Sequence, residues 1–212
     1  MVVQELPGYL VQLNKFCILR PQLLLHPRGF ASQEDRLSHD DFAISLQVMQ
    51  EFSPDALAFY NCGRESGSSQ PYRHVQIMLK PAPEEFVMWP EKAFMRGIRT
   101  LDDGPPLQLS VPYLARYGFF DATKSSSLYE LYQNLLLSLE VALGGAVEAH
   151  NVVFTKDWLC VVPRRTSGGH TGPSANSMGM MGMVWVADEK ERKHWDEVGF
   201  SSYLQELGYP PD

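Results

Sequence analysis

Residues 61–76, NCGRESGSSQPYRHVQ, carry the residue types with the most chemistry in this chain. A short Gly/Ser run between two apolar segments leaves backbone amides and hydroxyls free to surround an anion. Gly67 lets backbone approach a ligand closely because it has no side chain in the way. Ser68, Ser69 and Gln70 add donors, and His74 follows two positions before Gln76. Imidazole is a competent nucleophile toward phosphorus, and its pKa leaves the neutral form available at pH 7. A phosphate cradle beside a strand histidine is what nucleotidyl transfer through a phospho-histidine intermediate needs. A strand histidine alone would read as packing; the loop before it makes His74 a site residue.

Strands must hold these groups. Residues 56–63 (ALAFYNCG) are apolar and aromatic and read as a central strand, and 72–81 (YRHVQIMLKP) as a strand of period two. Tyr72, His74, Gln76 and Met78 share one face; Arg73, Val75, Ile77 and Leu79 share the other. One face is then buried and the other meets a site or solvent. Upstream, residues 9–19 (YLVQLNKFCIL) and PQLLLHP read as strands. Ser38 opens a helix whose positive end suits Asp41, with Phe42, Leu46 and Met49 toward a core.

The rest of the chain supplies packing. Residues 81–112 are Pro-rich, with a helix expected around 86–99. Asp102-Asp103 resembles a paired-carboxylate site but runs into Gly104-Pro105-Pro106 and reads as a turn. The longest helix, 127–143, opens with S-x-x-E (Ser127, Glu130), carries Leu128, Leu131, Leu135 and Leu139 at helical spacing, and stops at Gly144-Gly145. HNVVFTKDWLCVVPR reads as a hairpin turning at residues 155–157, with Arg164 and Arg165 flanking its end. Residues 164–176 read as loop and 178–187 as strand. Two short charged helices, 189–196 and 201–207, finish the chain, the first a solvated face anchored by Trp195. His150 and His170 receive no role. No repeat or linker divides the sequence, which reads as a single α+β domain over residues 1–212.

Composition narrows the partners. At 212 residues the chain is one domain in size, and 44% hydrophobic with 20% charged residues excludes disorder. No apolar run approaches the roughly 20 residues of a membrane helix. The N-terminus has no basic stretch followed by an unbroken apolar one, so no secretory signal is read. Lys+Arg 18 against Asp+Glu 25 gives −7, which argues against nonspecific nucleic-acid or anionic-membrane binding. Cys17, Cys62 and Cys160 are odd in number, without C-x-x-C, and read as reduced thiols of a cytoplasmic protein rather than a disulfide frame or zinc site.

On these residues the sequence resembles the diadenosine tetraphosphate (Ap4A) phosphorylases, or ATP adenylyltransferases, of the histidine-triad-like superfamily. The family motif S-G-A/S-S-Q-P-H-x-H-x-Q after Tyr-Asn reads here SGSSQPYRHVQ after FYN. The likeness extends to LNKFCIL and AFYNCG upstream. Downstream, HNVVFTKDWLCVVPRR is similar to Y-N-x-x-x-T-x-x-W-x-x-x-x-P-R, and SANSMGMMGM to S-x-N-S-L-G-x-x-G-M. The blocks lie at 9–80 and 149–187, in the family's order. The resemblance implies a histidine-triad-like fold, a mostly antiparallel sheet flanked by helices.

It also implies the activity: a nucleotidyltransferase cleaving Ap4A with inorganic phosphate to ATP and ADP through an AMP-histidine intermediate. His74 matches the nucleophile and Gln76 the glutamine that bonds the phosphate. Asn14 and Lys15 match a substrate-contacting Asn-Lys, Asn61 a phosphate-side asparagine, and Gly67, Ser68, Ser69 and Gln70 the phosphate loop. Asn176, Ser177, Met178 and Met183 match a nucleotide-contacting segment, although Met178, Met180, Met181 and Met183 read equally as core fill. The expected partners are a dinucleoside polyphosphate, ATP, ADP and phosphate, with no nucleic acid or membrane. No cofactor is required beyond Mg2+ carried with the nucleotide. Three departures stand out. Tyr72 replaces the first histidine, Ala187 replaces a basic lysine, and the chain begins about where the family's first large strand does, without the segment that brings a further lysine. They keep two alternatives open, a catalytically weakened nucleotide-binding module and a dinucleoside polyphosphate hydrolase.

Overall fold

The computed structural model describes residues 1–95, 107–108, 111–120, 127–168 and 172–211. Asp102, Asp103, His170 and the Ser127 side chain lie outside the described residues.

A continuous apolar run makes a strand that is buried on both faces. Residues 56–63 do this: β4 (Ala56–Cys62) is buried at every position. It pairs antiparallel with β5 (Val75–Leu79) on one side and β8 (His150–Phe154) on the other. From β5 the sheet runs outward through β3 (Gln22–Pro27), β2 (Tyr9–Leu13) and β1 (Val2–Leu6). From β8 it runs through β9 (Trp158–Pro163), β7 (Arg116–Phe119) and β6 (Leu107–Gln108). Among the described residues all nine strands are antiparallel to their neighbours, and the β4–β8 pair joins the two halves of the chain. With its flanking helices this is the expected α+β fold.

Each face of the sheet is covered. On one, α1 (His39–Phe52) and α3 (Ser127–Leu143) bury Phe42, Val48, Leu135 and Leu139 against Ala58, Tyr60, Val75 and Ile77. Ser38 and Asp41 form a reciprocal capping box at the start of α1, as their spacing predicts. On the other face, α4 (Ser177–Met180), α5 (Glu189–Val198) and α6 (Phe200–Leu207) bury Met178, Met180, Trp195 and Leu204 against Phe59, Met78 and Val153. Register assigns the site to this second face. Phe59 lies opposite Gln76, Gln22 opposite Met78 and Asn61 opposite Asn151, so these side chains share one side of the sheet. Met78 is buried there, so the site face closes into core beyond Gln76.

Three expected elements are shorter or of another type. β2 stops at Leu13, because the Asn14 Oδ1 accepts from the Phe16 N–H at 3.0 Å and turns the chain. The strand expected from Tyr72 becomes regular only at Val75; Tyr72 makes a single bridge to Ser32. Residues 178–187 are not a strand. The Asn176 side chain caps α4 by accepting from the Met178 and Gly179 N–H groups, and Gly182, at φ +94, turns the chain out of it. In the Pro-rich region the structure has α2 (Trp89–Met95).

Candidate functional site

His74 sits just before β5, on the face opposite Val75 and Ile77. Its Nδ1 lies 2.8 Å from the Tyr72 carbonyl. A carbonyl only accepts, so the proton is on Nδ1 and the lone pair on Nε2. Nε2 has no hydrogen-bond partner among the described residues. Burial, with a smaller contribution from His26, holds the imidazole below its usual pKa, so the neutral nucleophilic form prevails at pH 7. The backbone is clamped as well. Gln33, which is 1% exposed, accepts from the His74 N–H at 2.8 Å and donates to the Asn61 carbonyl at 2.8 Å. One glutamine thereby spaces the nucleophile from the end of β4.

Gln76 belongs to a file of amides. Asn14 Nδ2 donates to Gln22 Oε1 at 3.0 Å, and Gln22 Nε2 donates to Gln76 Oε1 at 2.9 Å. Asn14 is thus engaged at both ends of its side chain within the protein. Lys15, next in the chain, is exposed, with its ammonium 5.5 Å from the Phe16 ring.

Asn61 is 3% exposed, and its Oδ1 accepts from Asn151 Nδ2, the Ser177 N–H and the Ser177 hydroxyl. Its Nδ2 donates to no group among the described residues. Behind it stands Arg164, which follows the end of the β8–β9 hairpin as expected and is 3% exposed. The guanidinium reaches Asn151 Oδ1 at 2.6 Å, the Ala175 carbonyl at 2.9 Å and the Thr166 carbonyl at 2.7 Å. Burial brings its pKa down to about 10, so it stays cationic at pH 7. Asn151 also donates to the Ser66 carbonyl at 2.8 Å, tying in the 3-10 turn Arg64–Ser66 that starts the glycine loop.

That loop forms a ridge between two clefts. Gly67, at φ +88, packs so closely on the neighbouring segment that a Cβ would lie 2.8 Å from the Ala175 carbonyl oxygen and 3.0 Å from Asn176 Cα. On one side is a cleft of about 590 Å³ lined by Ser68, Ser69, Gln70, Arg64, Gln33 and Phe30, among others. On the other is a cleft of about 100 Å³ that includes Gly67, Asn176, Met183 and Trp185.

The sixteen-residue stretch read as chemically richest therefore does converge, but not every expected contact is open. His74 and Gln76 share a strand face; the loop residues divide between the two clefts, and neither cleft is lined by His74, Gln76 or Asn61. Ser177 and Met178 are wholly buried, Ser177 holding Asn61 and Met178 packed in the core. Met183 is the methionine of that segment that reaches a cleft. Sequence reasoning does not single out Gln22 and Gln33, and places Arg164 only at a hairpin end; a polar residue opening an apolar strand, as Gln22 does in QLLLHP, is the available signal. His150, also unassigned, is buried between the Tyr132 hydroxyl and the Glu148 carbonyl. Among the described residues no three His, Cys, Asp or Glu gather to hold a metal ion, the three cysteines are free, and no helix is long and apolar enough to cross a membrane.

The chain is similar to known proteins in sequence and in fold. The Ap4A phosphorylase N-terminal domain model matches residues 1–96 and the ATP adenylyltransferase C-terminal domain model residues 107–210. Diadenosine 5',5'''-P1,P4-tetraphosphate phosphorylase 2 of Saccharomyces cerevisiae is 28% identical over 93% of this chain and 69% of its own length. The crystal structure of yeast Ap4A phosphorylase Apa2 in complex with Ap4A superposes with a TM-score of 0.82 at 26% identity, covering 97% of this chain and 75% of that one. The same enzyme in complex with AMP gives a TM-score of 0.83 at 27% identity, with 97% and 74% covered.

Proposed function

The chain belongs to the Ap4A phosphorylase family, and on that premise we propose that it cleaves Ap4A with inorganic phosphate to give ATP and ADP. The observation that carries this is His74 Nε2, left unpaired while the Tyr72 carbonyl holds the proton on Nδ1. Nε2 attacks the α-phosphorus, the bond to the leaving polyphosphate breaks, and ATP departs. The AMP-His74 adduct is then attacked by a phosphate oxygen, which forms ADP and returns the imidazole. Covalent catalysis divides one displacement into two easier ones. Nδ1–H stays bonded to its carbonyl and steadies the charge the ring acquires. The free amide donors of Gln76 and Asn61, with the loop of Gly67, Ser68, Ser69 and Gln70, meet charge developing on the nonbridging oxygens. Lys15 and Arg64 supply the local positive charge a net-negative protein needs for a polyphosphate. Asn176 and Met183 line the nucleoside end.

Mg2+ is assigned to the nucleotide rather than to the protein, and the buried thiols of Cys62 and Cys160 suit a reducing cytoplasm. Product analysis tests the reading. Phosphate-dependent release of ATP plus ADP, abolished in His74→Ala, is expected. ATP plus AMP would identify a hydrolase. Position 187 favours the weakened binding module, since it is an exposed alanine where a cation would help; nucleotide binding without products would establish that alternative.

A further inference from the structure

The amide file that ends at Gln76 has a fixed direction. Asn14 Oδ1 accepts from the Phe16 N–H, and a backbone amide can only donate. Asn14 must then turn its Nδ2 toward Gln22 Oε1, which leaves Gln22 only Nε2 to offer to Gln76 Oε1. The last member therefore presents Nε2, a donor without a partner among the described residues, on the strand face of His74. Without the relay that amide has no preferred end, because its oxygen and nitrogen are nearly equal in size. A carbonyl oxygen in the same place would repel the nonbridging oxygens of a phosphate.

Resting on the phosphorolysis reading, we propose that Gln22 is a positioning residue that locks Gln76 as a donor to the phosphoryl group. Gln22 is 3% exposed and acts through Gln76 rather than on substrate. It also explains why Asn14 is spent inside the protein: its side chain transmits the polarity of one backbone N–H across β3 to β5.

Two variants separate this role from packing. Gln22→Met keeps the volume but removes both ends of the amide. Gln22→Glu, when ionised, accepts from Asn14 and from Gln76 Nε2 together, so it reverses the Gln76 amide and turns its oxygen to the phosphate. The readouts are the rate of adduct formation from Ap4A between roughly pH 5.5 and pH 8, and AMP affinity. We expect Gln22→Met to lower the rate about 10-fold at every pH, and Gln22→Glu about 100-fold or more near pH 8, the usual loss for a transition-state donor. The Gln22→Glu deficit relative to wild type shrinks as pH falls, because the protonated carboxyl can again donate to Gln76 Oε1. If Gln22→Glu does not fold, Asn14→Asp makes the same test, since it reverses the file from its other end. Equal rates for the charged and uncharged variants near pH 8, or a deficit independent of pH, would overturn the proposal. Wild-type protein that forms no adduct defeats the phosphorolysis reading and this proposal with it; normal wild-type turnover with indifferent variants defeats the relay alone.

Discussion

Gln33→Leu should damage stability and catalysis together, and by separable amounts. The side chain is 1% exposed and spans two backbone groups, the Asn61 carbonyl and the His74 N–H, each at 2.8 Å. Leucine fills much of the volume but leaves a buried acceptor and a buried donor unmet. Each such orphan costs about 1–3 kcal/mol, so a loss of about 3 kcal/mol is a moderate expectation for the pair. For a domain of this size that lowers Tm by about 6–12 °C. The same change frees the His74 backbone from the end of β4, so adduct formation should fall further than AMP affinity, by at least about 10-fold. Calorimetry reads the first effect and single-turnover quench the second, both below the variant's Tm. A Gln33→Leu protein within about 0.5 kcal/mol of wild type, adenylylated at the wild-type rate, would refute the clamp.

Three further outcomes follow from named contacts. Tyr72→Phe should change turnover less than about 3-fold, because the ring packs edge-on against Phe30 at 5.0 Å and the contact to His74 comes from the backbone carbonyl; steady-state kinetics with a loss above 100-fold would make the phenol a proton carrier. Arg164→Met should cost about 3 kcal/mol in urea unfolding, since it strands the buried Asn151 Oδ1 and Ala175 carbonyl and the half-buried Thr166 carbonyl. His150 is held neutral by burial, its pKa falling from 6.5 to about 4. The unfolded chain therefore binds the extra proton, and stability drops by about 3 kcal/mol as pH falls from 6.5 to about 4; His150→Gln should flatten that slope, and an unchanged slope assigns it elsewhere.

What could be read from sequence follows how local its cause is. The Ser38–Asp41 box, the S-x-x-E helix ending at Gly144, and the apolar run of β4 depend on neighbours in the chain, and all three elements form where expected. Residues 178–187 do not form the expected strand, because apolar density there reflects burial under α5 and α6, whereas Asn176 capping sets the local geometry. The place of Arg164 at the hairpin end is local, but its buried hydrogen bonds are not. Its acceptors come from residues 151, 166 and 175, which only the folded chain gathers. The loop and His74 are legible because their chemistry sits in one contiguous stretch. Gln22 and Gln33 are not, since each is meaningful only through the fold that brings it within hydrogen-bonding distance of Gln76 or the His74 backbone.

The central claim is that His74 Nε2 becomes covalently adenylylated. The direct test is to mix the protein with Ap4A in the absence of phosphate, quench, digest and locate the modified peptide by mass spectrometry. The account predicts one AMP moiety on His74, stable to base and labile to acid as a phosphorus–nitrogen bond should be, and discharged as ADP when phosphate is added. Consumption of Ap4A with His74 unmodified, or an adduct on another residue, contradicts it.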